Sequence, residues 1–199
     1  MSFRDIHFNW LEEIIIPAID SFYNEPKDGD LIQRDVNERT VVANIYCKAN
    51  SILDEKQNFT KELQYFGIDI EYNRNYADSK RVYEKCGSCQ KTDCFIKERN
   101  LHHTISSPDM IIHKRGSNDG NQVVIEFKKT SNAYAQERNA DKTKLIYFTC
   151  QQPFPLHEEE NFQFQIGFFI DLDIDRYSVT AYQDADHDAP RLRHGGKCL

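Results

Sequence analysis

The sequence predicts an α/β fold in which a mixed β-sheet is flanked by helices. Two apolar segments with strand character, 110–113 and 122–128, are joined by a turn-rich connection. Segments with helical spacing precede and follow this pair, and two further strand-like segments, 164–172 and 177–182, come later. The resulting order of helix, strand, strand, strand, helix, strand, strand favours a sheet covered by helices.

The length of the chain limits the number of domains. Its 199 residues suit one domain with a substantial core, or a core that carries an insertion. Residues 75–107 are rich in lysine and cysteine but poor in aliphatic side chains, as an insertion would be. We therefore expect a single domain over residues 1–182 with this insertion, followed by a flexible tail at 183–199.

Helical spacing dominates the first part of the chain. Residues 3–22 carry apolar side chains at that spacing, and Pro17 is expected to kink or end the helix. The stretch 24–30 contains a proline and a glycine and is typical of a loop. A second helix is predicted over 36–53, with an apolar stripe of Val41, Val42, Ile45, Ala49, Ile52 and Leu53.

Strand patterns follow. Strict alternation over 68–74 predicts a half-buried strand. The turn residues of 115–121 predict that the strands on either side form a hairpin. A third helix is expected over 133–148, before the last two strands.

Composition and charge restrict the partners of the protein. Thirteen Phe and ten Tyr argue against disorder, and the net charge of −7 weakly disfavours a role in coating DNA. No apolar run approaches the length of a membrane span, and the N-terminus lacks the pattern of a secretion signal. We therefore expect no membrane partner and a cytoplasmic location.

A local basic surface could still face a nucleic acid. The candidates are Lys80, Arg81, Lys85, Lys91, Lys97 and Arg99 in the insertion, and Lys114, Arg115, Lys128 and Lys129 beside the candidate site. Ordinary solvated lysines are the alternative interpretation.

Three residues of the predicted hairpin could form a catalytic group. Glu126 and Lys128 are two apart in a strand, so they share one face. Asp109 begins the neighbouring strand, and it shares that face only if opposed residues have an odd index sum. We predict an odd sum, such as that of 109 and 126.

The chemistry of these side chains suits a metal-dependent hydrolase. Two carboxylates are ligands that Mg²⁺ accepts, together with water and phosphate oxygens. Such a metal polarises a phosphodiester, and an adjacent lysine can stabilise the developing negative charge. The alternative is a solvent-facing ion pair among the three residues.

At these residues the chain resembles the PD-(D/E)xK superfamily of metal-dependent nucleases. The matching segments are 107–113 and 124–129, and similarity to small bacterial proteins of this type extends over 34–182, apart from the insertion. The resemblance implies a restriction-endonuclease-like αβββαβ core. It also implies Mg²⁺ or Mn²⁺ at Asp109 and Glu126, with Lys128 assisting the nucleophile.

Many members of the superfamily also place a glutamate on the preceding helix, and Glu38 matches that position. Its competing role is in a capping box that starts at Asp35, where it would bond the Asp35 amide. Glu71 is a weaker candidate for a further ligand, with an edge-strand charge as the alternative.

The insertion contains a candidate zinc site. Cys86 and Cys89 form a C-x₂-C pair, Cys94 follows, and His102 or His103 would complete four ligands for a structural Zn²⁺. A metal would help to order so long a segment. Free thiols or a disulfide are the alternatives, and Cys47 and Cys150 are expected to be buried thiols.

Two classes of function remain open from the sequence. The first is a Mg²⁺-dependent endonuclease, with DNA favoured over RNA as its substrate, and a homodimer would suit double-strand cutting. The second is a catalytically silent nuclease-like module that recruits a protein or a nucleic acid. Hydrolysis of RNA or of a nucleotide signal would use the same site, and the fold alone cannot choose among these substrates.

Overall fold

The computed structural model describes residues 8–70, 74–75, 78–79, 81–83, 103–105, 107–116, 120–131, 134–149, 164–183 and 191–193. Its helical elements are, in chain order, a π-helical turn Leu11–Ile15, α1 Ile16–Asn24, α2 Pro26–Gln33, α3 Glu38–Gln57, a 3₁₀ helix Lys61–Tyr65 and α4 Ala135–Thr149. Its strands are β1 Gly67–Ile70, β2 Arg74–Asn75, β3 Asp78–Ser79, β4 Arg81–Tyr83, β5 His103–Ile105, β6 Met110–His113, β7 Val123–Lys129, β8 Ile166–Leu172, β9 Tyr177–Tyr182 and β10 Arg191–Arg193.

A mixed sheet forms the centre of the described structure. Its order is β1-β6-β7-β8-β9-β10, and β1, β6 and β7 form an antiparallel meander. α4 then connects β7 to β8, which lies parallel to β7, and β9 and β10 continue antiparallel to their neighbours. The predicted α/β class with a mixed sheet flanked by helices is therefore confirmed.

The two faces of the sheet carry different helices. Val123, Ile125 and Phe127 of β7 are fully buried in the larger core, together with α1 and α3. Val124 belongs to a smaller core on the opposite face, where Leu145 and Phe148 of α4 pack. This alternation is the one predicted from the sequence, and it directs Glu126 and Lys128 toward the α4 side.

The long helix α3 follows its predicted apolar stripe. Val41, Val42, Ile45, Ala49 and Leu53 are buried, while Ile52 is partly exposed. Its start is set by a polar cap, because the side chain of the preceding asparagine accepts a hydrogen bond from a backbone N–H of the first turn.

The N-terminal helices differ from the prediction. Pro17 does not end the first helix, since it occupies the first turn of α1 directly after the π-helical turn. Proline has no N–H to donate, and its ring clashes with the carbonyl four residues back. The switch from π-helical to α-helical hydrogen bonding just before Pro17 accommodates both effects. The predicted loop over 24–30 is also wrong, because α2 begins at Pro26. Proline is tolerated at the first position of a helix, since a backbone N–H there would have no acceptor within the helix.

Short antiparallel strands occur in both the predicted insertion and the predicted tail. Within the predicted insertion, β2 pairs with β3 and β4 pairs with β5 as two small antiparallel ladders. Within the predicted flexible tail, Arg191–Arg193 pair with β9, so these three residues form an edge strand of the main sheet. A separate search of the described helices for a membrane span finds none that is long and apolar enough.

Candidate active site

The register of the β6–β7 hairpin brings the predicted residues to one face. Met110 lies opposite Ile125 and Ile111 lies opposite Val124, so the index sum is odd, as predicted. Extending the ladder by one position places Asp109 opposite Glu126. The first residues of β6 and the last residues of β7 therefore lie side by side, at the same end of the strands.

A backbone contact holds Asp109 in this position. Its Oδ2 accepts a hydrogen bond from the N–H of Phe127 over 2.7 Å. Burial raises the pKa of Asp109 to about 6, although the Phe127 N–H opposes this shift. The carboxylates of Glu38 and Asp141 raise this pKa further, whereas Lys128 lowers it.

Glu126 is the most buried acid of the group. Its side chain is 3% exposed, and its Oε1 has no hydrogen-bond partner. The closest cation recorded is the Lys144 ammonium, 3.9 Å from that oxygen, which is too far for a hydrogen bond. Burial, followed by the charge of Asp109, raises the pKa of Glu126 well above its usual value.

Lys128 lies between two carboxylates. Its Nζ is 3.0 Å from Asp141 Oδ2 on α4 and 3.4 Å from Glu38 Oε1 on α3. Burial lowers the pKa of Lys128, but Asp141 and Glu38 together raise it above its usual value. The lysine is therefore a charged donor, not a general base, at neutral pH.

Asp141 and Lys144 are site residues that the sequence analysis did not select. They are three apart on α4, and Lys144 Nζ lies 2.7 Å from Asp141 Oδ1. Burial lowers the pKa of Lys144, and the carboxylates of Glu126 and Asp141 raise it overall. The signal available in the sequence was this i, i+3 pair on a helix following the Glu-x-Lys strand.

Glu38 does not have the capping role considered from the sequence. The Asp35 amide bonds the carbonyl of Ile32 at 3.1 Å, and Asn37 provides the cap instead. Glu38 Oε2 accepts a hydrogen bond from the backbone N–H of Lys129 over 3.0 Å. The first residue of α3 is thus directed at the end of β7.

Lys129 anchors α3 to the sheet. It is 3% exposed, and its Nζ donates to Asp35 Oδ1 and to the Val36 carbonyl, each over 2.6 Å. Asp35 adopts a left-handed backbone with φ of 51° just before α3. These contacts fix the chain at the beginning of α3, and with it the position of Glu38.

The basic residues predicted to flank the site divide into two groups. Lys128 and Lys129 are paired with acids at the site. Lys114 and Arg115 lie at the far end of the hairpin, where Arg115 pairs with Asp69. The four residues therefore do not form one continuous basic surface at the site. The other predicted basic side chains lie outside the described residues, which give only the backbone of Arg81.

The cluster contains more carboxylates than ammonium groups. Four carboxylates, on Glu38, Asp109, Glu126 and Asp141, surround two ammonium groups, and one carboxylate oxygen is buried without a partner. The donor set fits Mg²⁺, which uses one or two carboxylates and completes its shell with water and phosphate. The described part of the chain contains no group of three or more His, Cys, Asp or Glu side chains arranged to hold a metal alone.

The predicted zinc ligands lie outside the described residues. Cys86, Cys89, Cys94 and His102 are not among the described residues, nor are Glu71 and Cys150, and His103 is described only as the first residue of β5. Cys47, predicted to be buried, is a free and exposed thiol. It lies on the side of α3 away from the apolar stripe, which explains its exposure.

Comparison with known proteins yields no relative. The chain matches none of the protein-family models, curated proteins or solved structures against which it was compared. The residues of the cluster and their geometry are therefore the basis for inferring a function.

Proposed function

We propose that this protein is a Mg²⁺-dependent phosphodiester hydrolase, a nuclease of the PD-(D/E)xK type that acts on DNA. The observation that carries the proposal is the buried, unpartnered Oε1 of Glu126 beside the carboxylate of Asp109. A buried carboxylate oxygen without a donor is costly unless a cation or a proton satisfies it.

The sheet topology supports the same proposal. A helix, an antiparallel meander of three strands, a crossover helix and a parallel fourth strand follow one another as α3, β1, β6, β7, α4 and β8. This is the order expected of an αβββαβ core. The candidate residues occupy the edge of the sheet where β7 ends and α3 begins.

Each side chain has a role in the proposed reaction. Asp109 and Glu126 would hold Mg²⁺, which when bound supplies Lewis-acid polarisation of the phosphodiester. Lys128, kept protonated by Asp141 and Glu38, would donate hydrogen bonds to the attacking water and to the negative charge that develops on phosphate oxygen. The water oxygen bonds to phosphorus as the water gives up one proton to solvent, the phosphorus–oxygen bond to the leaving group breaks, and the leaving oxygen takes up one proton from solvent.

The remaining charged residues would position this machinery. Glu38 bonds both the Lys128 ammonium and the backbone of β7, so it sets the direction of the lysine. Asp141 bridges the two lysines of the cluster. Held by α3 and α4 in this way, Lys128 needs little reorganisation during the reaction.

A cleavage assay tests the proposal. The wild type is incubated with supercoiled, linear, single-stranded and branched DNA and with single-stranded RNA, in Mg²⁺, in Mn²⁺ or in EDTA. Metal-dependent cleavage is expected, with losses of about 10²–10³-fold for Glu126→Gln and Lys128→Ala. Glu62→Gln and Lys61→Ala are matched controls in the exposed 3₁₀ helix, beyond the far end of α3 and about 30 Å from Glu38.

The outcomes separate the candidate functions. Absence of any metal-dependent product, or full activity of Lys128→Ala, would overturn the proposal. Binding of nucleic acid without cleavage in any metal would instead indicate the silent module. Cleavage of RNA but not DNA would support the proposed phosphodiester hydrolysis and show that RNA, not DNA, is the substrate.

A further inference from the structure

A cavity separate from the carboxylate cluster lies against the first half of α4. It has a volume of about 370 Å³ and is lined by Thr130, Ala135, Arg138, Asn139 and Lys142. Two of these side chains are cationic and none is acidic. The charged side chains of the lining are thus cationic, whereas most of those in the neighbouring site are acidic.

The cavity adjoins the candidate active site. Thr130 follows β7 directly and stands two residues after Lys128, roughly 7 Å along an extended chain. On the other wall, Lys142 follows Asp141 in α4, whose carboxylate contacts Lys128. A ligand that occupies both the candidate active site and the cavity would extend from the end of β7 along the side of α4.

The two cations of the cavity lie over one aromatic ring. The Lys142 ammonium is 4.9 Å and the Arg138 guanidinium 5.4 Å from the centre of the Phe169 ring, which is fully buried. They are four residues apart on α4, so they occupy the same face of the helix. The buried ring keeps both charges at the wall of the cavity.

The two cations differ in their counter-ions. Arg138 is ion-paired with Asp171 of β8. The Lys142 ammonium lies over the ring and forms no salt bridge with a carboxylate of the described residues. Thr130 already donates its hydroxyl proton to Asp173. An anion entering the cavity would therefore meet Lys142 first, with Arg138 as the second donor.

We propose that this cavity is a subsite for a second phosphate of the substrate, next to the phosphodiester that is cleaved. The inference rests on the proposed nuclease function and adds to it the direction in which the substrate lies. Phosphate is the chemical group that the subsite recognises, through the Lys142 ammonium and the Arg138 guanidinium. Lys142 is a positioning residue for the neighbouring cleavage, and the substrate must carry at least one flanking phosphate.

Binding, measured apart from cleavage, tests the subsite. Fluorescence anisotropy of a fluorescein-labelled single-stranded DNA 12-mer is recorded with Ca²⁺ in place of Mg²⁺, over a series of salt concentrations. Lys142→Ala should weaken binding about tenfold, and it should reduce the slope of the salt dependence by about one. Lys142→Glu should weaken binding further and Lys142→Arg should restore it, whereas Lys61→Ala should bind like the wild type.

A second arm separates a substrate phosphate from a free one. In a second 12-mer of the same sequence, a methylphosphonate replaces the linkage adjacent to the bond that the wild type cleaves in Mg²⁺, so that one backbone charge is absent. The wild type should bind it as weakly as Lys142→Ala binds the normal 12-mer. If inorganic phosphate is bound through Lys142 while the oligonucleotide affinity of Lys142→Ala is unchanged, the cavity holds free phosphate and the proposal is overturned.

The two proposals fail in different ways. Wild-type affinity and salt slope in Lys142→Ala, together with intact metal-dependent cleavage, would overturn the subsite alone. Weaker binding by Lys142→Ala without cleavage by any variant would support recognition of a backbone phosphate at the cavity and overturn the nuclease. Absence of measurable binding by the wild type would overturn the subsite, and circular dichroism melting of each variant excludes unfolding as the cause.

Discussion

The Asp109 carboxylate accepts a hydrogen bond from the backbone N–H of Phe127, with 2.7 Å between Oδ2 and N. Because the β6–β7 ladder starts at Met110, this N–H lies beyond the ladder's end, and the aspartate side chain takes the place of a strand partner. The same contact holds Asp109 beside Glu126, whose neighbour in the chain is Phe127. One hydrogen bond therefore closes the hairpin and assembles the acidic pair.

Asp109→Asn should stabilise the protein in the absence of metal. Burial raises the pKa of Asp109 from 3.8 to about 6 in the folded state, so the folded state holds this proton more tightly than the unfolded state. The stability associated with the proton is fully present below pH 3.8 and is lost as pH rises through 6. The Asp109→Asn variant does not lose this stability, because asparagine does not titrate. The variant should therefore be more stable than the wild type by about 1–3 kcal/mol above pH 7, and the difference should vanish near pH 4.

Urea unfolding in EDTA between pH 4 and pH 8 measures this difference. Asp175→Asn, the same change at an exposed position, is the matched control. An Asp109→Asn variant that is less stable than the wild type at pH 8 would contradict the assigned pKa direction.

Glu126→Gln should remove metal binding without unfolding the protein. The change deletes the charge that is buried without a hydrogen-bond partner, while the side chain keeps its size. We expect Mn²⁺ affinity, measured by isothermal titration calorimetry, to fall at least about tenfold. Thermal stability in EDTA should be unchanged or higher. Equal Mn²⁺ affinity in Glu126→Gln and in the Glu62→Gln control would count against Glu126 as a ligand.

Asp69→Asn should weaken the protein at neutral pH but not in strong acid. Burial alone would raise the pKa of Asp69, but His113 and Arg115 hold it at about 2. A lowered pKa contributes stability that is present above 3.8 and is lost as pH falls through about 2. Since Arg115 is largely exposed, the contribution should be about 1–2 kcal/mol.

Denaturant melts from pH 2 to pH 7 test this prediction. The curves of wild type and Asp69→Asn should converge as the pH falls. The Asp69 carboxylate bonds His113 and Arg115, which lie at and beyond the end of β6 away from Asp109, so the Mn²⁺ affinity of this variant should equal that of the wild type. A constant difference across the whole range would show that the carboxylate charge is not the cause.

Gly167→Ala should disturb the site from a distance. A Cβ at this position on β8 would lie 3.2 Å from Thr149 Cγ2 and 3.3 Å from Leu145 Cδ2, both on α4. The Thr149 and Leu145 side chains must give way by a few tenths of an ångström, and since both are buried against the sheet we expect a cost of about 1 kcal/mol in unfolding free energy. Because α4 carries Asp141 and Lys144, Mn²⁺ affinity should fall as well.

Gly116→Ala separates loss of stability from loss of the site. Gly116 has φ of 76° at the far end of the hairpin, with open space around a Cβ. Alanine there should cost about 1–2 kcal/mol through backbone strain while leaving Mn²⁺ affinity unchanged. Isothermal titration calorimetry should therefore give a lower Mn²⁺ affinity for Gly167→Ala than for Gly116→Ala, even when the two variants have the same melting temperature.

Part of the site could be predicted from the chain alone. Alternation along 122–128 assigns Glu126 and Lys128 to one face and Val123, Ile125 and Phe127 to the other, because successive strand residues point in opposite directions. Likewise, the stripe of α3 follows from the 3.6-residue period of a helix. These properties depend on spacing within a short segment, so no distant contact can alter them without breaking the element.

The tertiary structure decided what depends on residues far apart in the chain. The odd register of β6 against β7 sets the face of Asp109, and a slip of one residue would have moved it to the other side. The Glu38 side chain bonds the backbone N–H of Lys129, which is 91 residues away in the chain. This long-range contact decides that Glu38 belongs to the site and does not cap its own helix. Asp141 and Lys144 become part of the site only because α4 packs on the sheet. Such pairings are determined by packing and charge between elements, which periodicity within one element does not encode.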